Sequence, residues 1–295
     1  MRRLAPYAVL LLVSAVWGAH AVVGASVIAA LSPLALATWR FTFTAVLYAP
    51  VLIPALRRVR TLSRGDWGLL LAASLCSSVL FPLFYYQSLI TLPPVESLLI
   101  VNAAPVLTAL FGFFLYRETL ARGQVFGLVL ALAGVVVISS QAVARGEQSM
   151  AAISDAAIGT AAFALYTVLS RRLFKRLPLF DVLAVTSLLG AIMLWVVLVA
   201  TRAYSAATAL ASLTLHEWFA LLFIVIFVST IAYIFYGYGL ARVPAGVSAA
   251  LTFYPQAVFA ALLQWIWLGR AVTLLTVAGG AVILAGSVLM QRFAR

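Results

Sequence analysis

Long apolar runs follow one another along this chain with only short polar breaks between them. Ten can be read, at about 5–28, 33–55, 67–90, 95–116, 123–141, 153–174, 180–200, 216–240, 245–268 and 272–291. Each is near or above the ~18 residues that carry a helix across a bilayer core of ~30 Å. Strands are a poor reading, because the runs lack alternating polarity and are too long. The Pro and Gly residues inside them suit a helical bundle, where neighbours satisfy the freed backbone groups. The pattern predicts an all-α polytopic membrane protein with ten transmembrane helices.

The runs also resemble one unit written twice. Around residue 86 the chain reads YQSLITLPPVESLLIVNAAPVLTALFGFFLYRE, and around residue 236 it reads YGYGLARVPAGVSAALTFYPQAVFAALLQWIWLG. A shift of 150 places Tyr86 on Tyr236, Pro94 on Pro244, Ala104 on Tyr254 and Pro105 on Pro255. Two residues are then gained, and Gly127 and Gly134 fall on Gly279 and Gly286. Residues 1–141 form the first five-helix half, 142–152 a polar linker, and 153–295 the second half. Internal symmetry in so apolar a chain marks transporters, whose binding site lies between the two halves.

Composition sharpens this reading. Hydrophobic residues make up 65% and charged residues 9%, against roughly 25% charged in ordinary globular domains. The net charge of +12 would suit a nucleic-acid partner, but the positions of the charges exclude that. With the N-terminus in the cytoplasm and ten crossings, 15 of the 19 basic residues fall in cytoplasmic segments. Only Arg145, Arg202 and Arg270 fall outside, and Arg40 lies within a span. This is the positive-inside bias, and it predicts that both termini are cytoplasmic. Five spans per half is an odd number, so the two copies are expected to be inverted, related by a pseudo-two-fold axis in the membrane plane. Arg2 and Arg3 before an apolar run resemble a signal peptide, but the run continues past Val27 and is read as the first span. The single Cys76 reads as a small packing residue, and no His/Cys cluster points to a metal or other cofactor. Gly127, Ala131, Ala133 and Gly134, with Gly279, Gly280, Ala281 and Gly286, allow close helix packing inside the chain or across a homodimer face.

Polar groups at membrane depth are costly, so each needs a reason. His20 in the first span is a candidate for binding a solute or for titration, against a plain bond to a neighbouring carbonyl. Arg40 in the second span reads as a structurally paired residue, with Glu96 at the outer end of span four its candidate partner. Glu96 could instead line the outer mouth and, with His20, is a candidate for proton coupling. The symmetry-related positions are the strongest. Tyr86 matches Tyr236, Asn102 and Thr252 lie three residues before the paired prolines, and Tyr254 and Gln256 flank Pro255. Tyr85, Gln87, Ser229, Thr230 and Tyr233 join them. Together they offer hydrogen bonds and aromatic faces without fixed charge, suited to a small, partly apolar solute. Pro105 and Pro255 are the expected kinks, because a mid-span proline removes a backbone bond. Asp66, Asp181 and Glu217 start spans three, seven and eight and read as helix N-terminal caps.

Trp17-Gly18, Pro33 with Arg40-Phe41, and the run from Pro94 through Asn102 and Pro105 to Tyr116-Arg117-Glu118 resemble the drug/metabolite transporter superfamily, of the EamA-like type. Gly127 and Gly134 continue the likeness, which covers nearly the whole chain. The resemblance implies two inverted five-helix halves around a central cavity. Spans three, four, eight and nine would wall it, with one and six contributing. It also implies that Trp17 has an aromatic counterpart in Phe163, with Tyr166 the better polar candidate nearby. Glu118 has no second-half counterpart, where the chain reads Trp267-Leu268-Gly269-Arg270. Members export amino acids, other metabolites or drugs from bacteria. The expected function is therefore export of a small molecule across the bacterial inner membrane by alternating access. Amino acids are the leading substrates and multidrug efflux the alternative. No HExxH motif, intramembrane Asp pair or Ser/His pair points to a membrane enzyme.

Overall fold

In the computed structural model the described residues are 5–117, 121–145, 147–203, 209–240, 242 and 245–293. Among them every regular element is helical. Seven helices are long and apolar enough to cross a membrane, or eight if one bent pair counts as a span. Two further apolar stretches, Arg122–Ile138 and Leu274–Leu289, are shorter. Large apolar side chains point outward, among them Val46, Phe114, Val136, Val196 and Ile266, each more than 60% exposed. A water-soluble protein would cover a surface of this kind, and a lipid-embedded one need not.

Helix α1 (Ala5–Val27) is continuous. The second apolar run is not. Helix α2 (Pro33–Leu47) ends at Tyr48, and α3 (Ala49–Val59) leaves it at 86°. Pro50 causes the break, since its ring lacks an N–H and collides with the Val46 carbonyl one turn back. The apolar run over 33–55 is therefore two helices meeting at a corner, not one straight helix. Fifteen residues of α2 rise only about 22 Å at 1.5 Å each, and α3 turns aside carrying Arg57 and Arg58.

The third and eighth runs share an irregularity that their sequence does not announce. In the third, α4 (Arg64–Ser74) passes through a π-helical stretch, Leu75–Leu80, into α5 (Phe81–Ser88). In the eighth, α11 (Leu215–Phe223) passes through Ile224–Ile231 into α12 (Ala232–Leu240). Adding the repeat shift of 150 to 75–80 gives 225–230, inside the second π stretch. In the eighth run the Ser229 and Thr230 hydroxyls donate to the carbonyls of Ile224 and Val225, five residues back.

The two prolines of the repeat behave differently. Helix α6 (Pro94–Val101) stops at Asn102, and α7 (Ala104–Tyr116) resumes with Pro105 in its first turn. Helix α13 (Ala245–Leu268) runs unbroken through Pro255. The remaining α-helices are α8 (Arg122–Arg145), α9 (Glu147–Leu173), α10 (Leu179–Ala200) and α14 (Leu274–Arg292).

The packing repeats with the sequence. Helix α8 packs on α14 and α2 on α10, each on its own counterpart. Helix α1 packs on α13 as α9 does on α6 and α7, and on α12 as α9 does on α5. The self-paired helices run antiparallel. A Cβ on Gly134 would lie 2.6 Å from the Gly279 carbonyl oxygen, and one on Gly286 would lie 2.6 Å from that of Gly127. Along α2 and α10, Trp195 Nε1 donates to Thr42 at 3.1 Å, while Tyr48 clusters with Leu183 and Ala184. The four repeat glycines are therefore used in an internal seam, where missing side chains let two backbones touch. One core joins the halves, with Leu36, Tyr86 and Leu99 buried beside Leu194, Leu221 and Ile283.

Two ion pairs also cross between the halves. Arg58 grips Asp181 through Nε and Nη2, the latter at 2.8 Å, and Arg176 meets Asp66. Ser63 caps α4 at the Asp66 amide, and Thr214 and Glu217 form a capping box on α11.

Candidate functional site

Two adjoining cavities lie where the halves meet. The first encloses about 490 Å³ of space between atoms, its open mouth included. Its wall is mainly aromatic, with Trp17, Phe81, Tyr85, Phe163, Tyr233 and Phe253, plus His20, Arg40 and Gln256. The second, about 410 Å³ on the same measure, is rich in hydroxyls from Thr44, Tyr48, Ser77, Ser78, Tyr166, Thr186 and Ser187. Arg40, Phe81 and Tyr233 line both and link the pair.

Local structure explains how these side chains reach the centre. Gly18 lets α1 approach α13 so closely that a Cβ there would stand 2.5 Å from the Gln256 carbonyl oxygen. That contact brings Trp17 among Tyr233, Tyr236 and Phe253, with ring centroids 5.5, 5.5 and 5.9 Å away. Such tilted and edge-on contacts each add about 0.5–1.5 kcal/mol beyond the area they bury. The Trp17 indole points at the Val228 carbonyl at 3.5 Å. Both π stretches supply wall residues, Ser77 and Ser78 in one half and Val228 and Ser229 in the other. Irregular turns of this sort recur at functional sites.

The polar centre is a relay built on Arg40, which is only 4% exposed. Its Nε donates to Ser229 Oγ at 2.8 Å, and its Nη1 donates to the Tyr86 hydroxyl at 2.8 Å. Tyr86 in turn lies 2.9 Å from His20 Nε2, and Arg40 Nη1 lies 3.4 Å from the same nitrogen. The guanidinium also stacks over Phe41 and Tyr86, 5.2 and 5.9 Å from their centroids. Glu96, the partner expected from sequence, is elsewhere. It is buried at the start of α6 and meets Thr276 of α14 at 3.4 Å. Among the described residues no carboxylate pairs with Arg40, and neither cavity wall contains Asp or Glu.

The structure separates the sequence-predicted residues by place. Trp17, His20, Tyr85, Phe163, Tyr233 and Gln256 line the aromatic cavity. Tyr166 and Tyr233 line the hydroxyl-rich one. Tyr86, Tyr236 and Asn102 stand behind the wall. Tyr86 and Tyr236 hold His20 and Trp17, while the Asn102 amide donates to the Phe253 carbonyl at 3.3 Å and its oxygen accepts from Gln256. Glu96, Pro105 and Pro255 are not on either wall, although Phe253 and Gln256 bracket Pro255 on the cavity side. Gln87 is exposed. Tyr254 and Glu118 lie outside the described side chains. Sequence reasoning gave Arg40 a structural role and did not single out Thr44, Tyr48, Phe81 or Thr186. A polar residue at i, i+4 and i+8 of α2 (Arg40, Thr44, Tyr48) was the available signal, since that spacing shares one helix face.

Known proteins place this architecture. The EamA-like transporter family matches residues 5–140 and again residues 150–292. YyaM, an uncharacterized transporter of Bacillus subtilis (strain 168), is 24% identical over 258 residues, 86% of this chain and 83% of its own. YetK of the same organism, also an uncharacterized transporter, is 23% identical over 255 residues, 85% and 76% of the two chains. A crystal structure described only as that of a protein superposes with a TM-score of 0.64 at 22% identity, over 97% of this chain and 96% of its own, and so shares the fold. With one family spanning both halves of a helical bundle that closes on a central cavity, the chain belongs to the EamA-like transporter family.

Proposed function

We propose that this protein exports amino acids or closely related small metabolites across the bacterial inner membrane by alternating access. The observation that carries the reading is the aromatic cavity between the halves, whose wall draws on residues of both copies. In this reading the chain crosses the membrane ten times, with both termini in the cytoplasm. Helix α2 and the shorter apolar stretches of α8 and α14 each complete a crossing. The antiparallel packing of α8 on α14 and of α2 on α10 supports an inverted pair, because each helix there meets its own counterpart head to tail.

Rocking of one half against the other would open the cavity to each side in turn. The seam between α6 and α13 is the place to expect movement. There Asn102 meets Gln256, and the Val95 amide donates to Gln264 Oε1 at 3.1 Å. His20 and Glu96 are the buried groups a proton-coupled cycle would use, and a facilitator needs neither. Purified protein in sealed liposomes, assayed by counterflow with a panel of amino acids, tests the proposal. Saturable exchange of at least one amino acid is the expected result, and its absence across the panel ends the amino-acid reading. The aromatic wall also favours a second reading, multidrug efflux. Inhibition of exchange by lipophilic cations and not by amino acids would establish that one instead.

A further inference from the structure

The cavity holds a fixed positive charge, Arg40, that no carboxylate among the described residues neutralises. A guanidinium is a permanent cation with five N–H donors. Burying such a charge unpaired costs several kcal/mol even after relaxation. Arg40 Nε and Nη1 are bonded to Ser229, Tyr86 and His20, all uncharged or weakly polar partners, and among the described residues Nη2 makes no hydrogen bond. One end of the fork therefore stays unused, in a wall that contains no carboxylate. A second observation points the same way. Tyr85 lines the same cavity, is 1% exposed, and its buried hydroxyl too has no partner among the described residues. Buried polar atoms of native proteins are almost always satisfied, and an exception asks for the missing group. Tyr85 packs 5.5 Å from the His20 ring, so its hydroxyl and the Arg40 fork belong to one neighbourhood.

We infer that Arg40 and Tyr85 form a carboxylate-reading site, and that the transported solute is a small amphipathic monocarboxylate. Its carboxylate would take the free Nη2 donors and the Tyr85 O–H, and its apolar body would lie against Trp17, Phe163 and Phe253. A charge-assisted bond from the guanidinium is shorter and about twice as strong as a neutral one, which favours a carboxylate over an uncharged oxygen here. An α-ammonium group meets no acid on either wall, so it contributes little. An amino acid and its deaminated analogue should thus bind alike, and lipophilic cations should be rejected. This deepens the proposed function and rests on the central cavity being the transport site.

Four compounds separate the groups: leucine, 4-methylpentanoate, leucinamide and 3-methylbutylammonium, with the corresponding phenylalanine series so that side-chain size does not decide. Binding is read by calorimetry on the intact purified protein. Leucine and 4-methylpentanoate should bind comparably and leucinamide about 30-fold or more weakly, the loss expected when one member of a buried charge pair is removed. Arg40→Gln should erase that ratio, while Arg40→Lys keeps part of it. Tyr85→Phe guards against misfolding, because it deletes a hydroxyl that bonds nothing among the described residues. It should leave thermal unfolding unchanged yet weaken carboxylate binding about 3- to 10-fold, the worth of one such hydrogen bond. The inference is overturned if neither carboxylate binds the native protein, if the amide binds as well as the acid, or if folded Arg40→Gln and Tyr85→Phe keep the native ratio. Transport of leucine with an unchanged ratio in Arg40→Gln defeats this inference and leaves the amino-acid reading standing. Binding of 4-methylpentanoate without leucine does the reverse.

Discussion

Adjacent tyrosines on α5 show how far two identical side chains can differ in what they do. Tyr86 accepts from Arg40 and bonds His20, while the hydroxyl of Tyr85 bonds nothing among the described residues. Removing the Tyr86 hydroxyl leaves a buried charge short of an acceptor, and hydrogen bonds to charged groups are worth about 1.5–3 kcal/mol. Tyr86→Phe is therefore expected to lower the unfolding midpoint in detergent by that order, whereas Tyr85→Phe leaves it in place. Equal midpoints for the two variants would contradict the relay. The sequence marked both tyrosines as cavity candidates, and it marked His20. It could not show that Arg40 meets them, because a helix's rotation about its axis decides which neighbour a long side chain reaches. Charge alone suggested Glu96, and Glu96 lies against α14.

At the level of helices, hydropathy delimited most of the runs but not their internal breaks. Pro50 turning α3 away from α2 follows from a rule visible in the sequence, yet the apolar residues continue past it and hide the corner. The two π stretches carry no composition signal at all and were found only by their backbone bonds. Helix seams yield sharper expectations. Gly286 faces the Gly127 carbonyl and the Ala131 backbone, so Gly286→Ala must push α14 off α8. A cost of about 1–3 kcal/mol is expected, typical of overpacking. Gly68 on α4 has open space around its Cα, and Gly68→Ala should stabilise by about 0.5–1 kcal/mol through helix propensity. Urea or SDS titration of both variants checks the contrast in sign. Helix α6 starts at Pro93-Pro94 with no cap from its own chain segment. Its Val95 amide is capped by Gln264 of the other half. Gln264→Leu should cost about 1 kcal/mol, as lost caps do, and should raise labelling of a cysteine placed at Val95 by a water-soluble thiol reagent. Unchanged labelling would mean the seam does not open there.

Across the whole molecule, the antiparallel seams and the basic loops bear on one question, which side each half faces. If the chain crosses ten times from a cytoplasmic start, a fluorescent protein fused at either terminus should fold and fluoresce, and a periplasmic phosphatase fused there should stay inactive. An active phosphatase at Arg295 would require an odd number of crossings and end the inverted arrangement. The unneutralised guanidinium at the centre also has an electrical consequence. A carrier with an empty site presents one positive charge to whichever compartment the site faces, and a full membrane potential of 100 mV weighs about 2.3 kcal/mol on such a charge. An inside-negative voltage therefore draws the vacant carrier back toward the cytoplasm. Loading with a monocarboxylate anion would cancel the charge and free the outward step from that pull, whereas a zwitterionic amino acid would leave the net charge in place. For an anionic cargo alone, the voltage of a resting cell would then drive each turn of the cycle outward through the return stroke, with no ion required to accompany it.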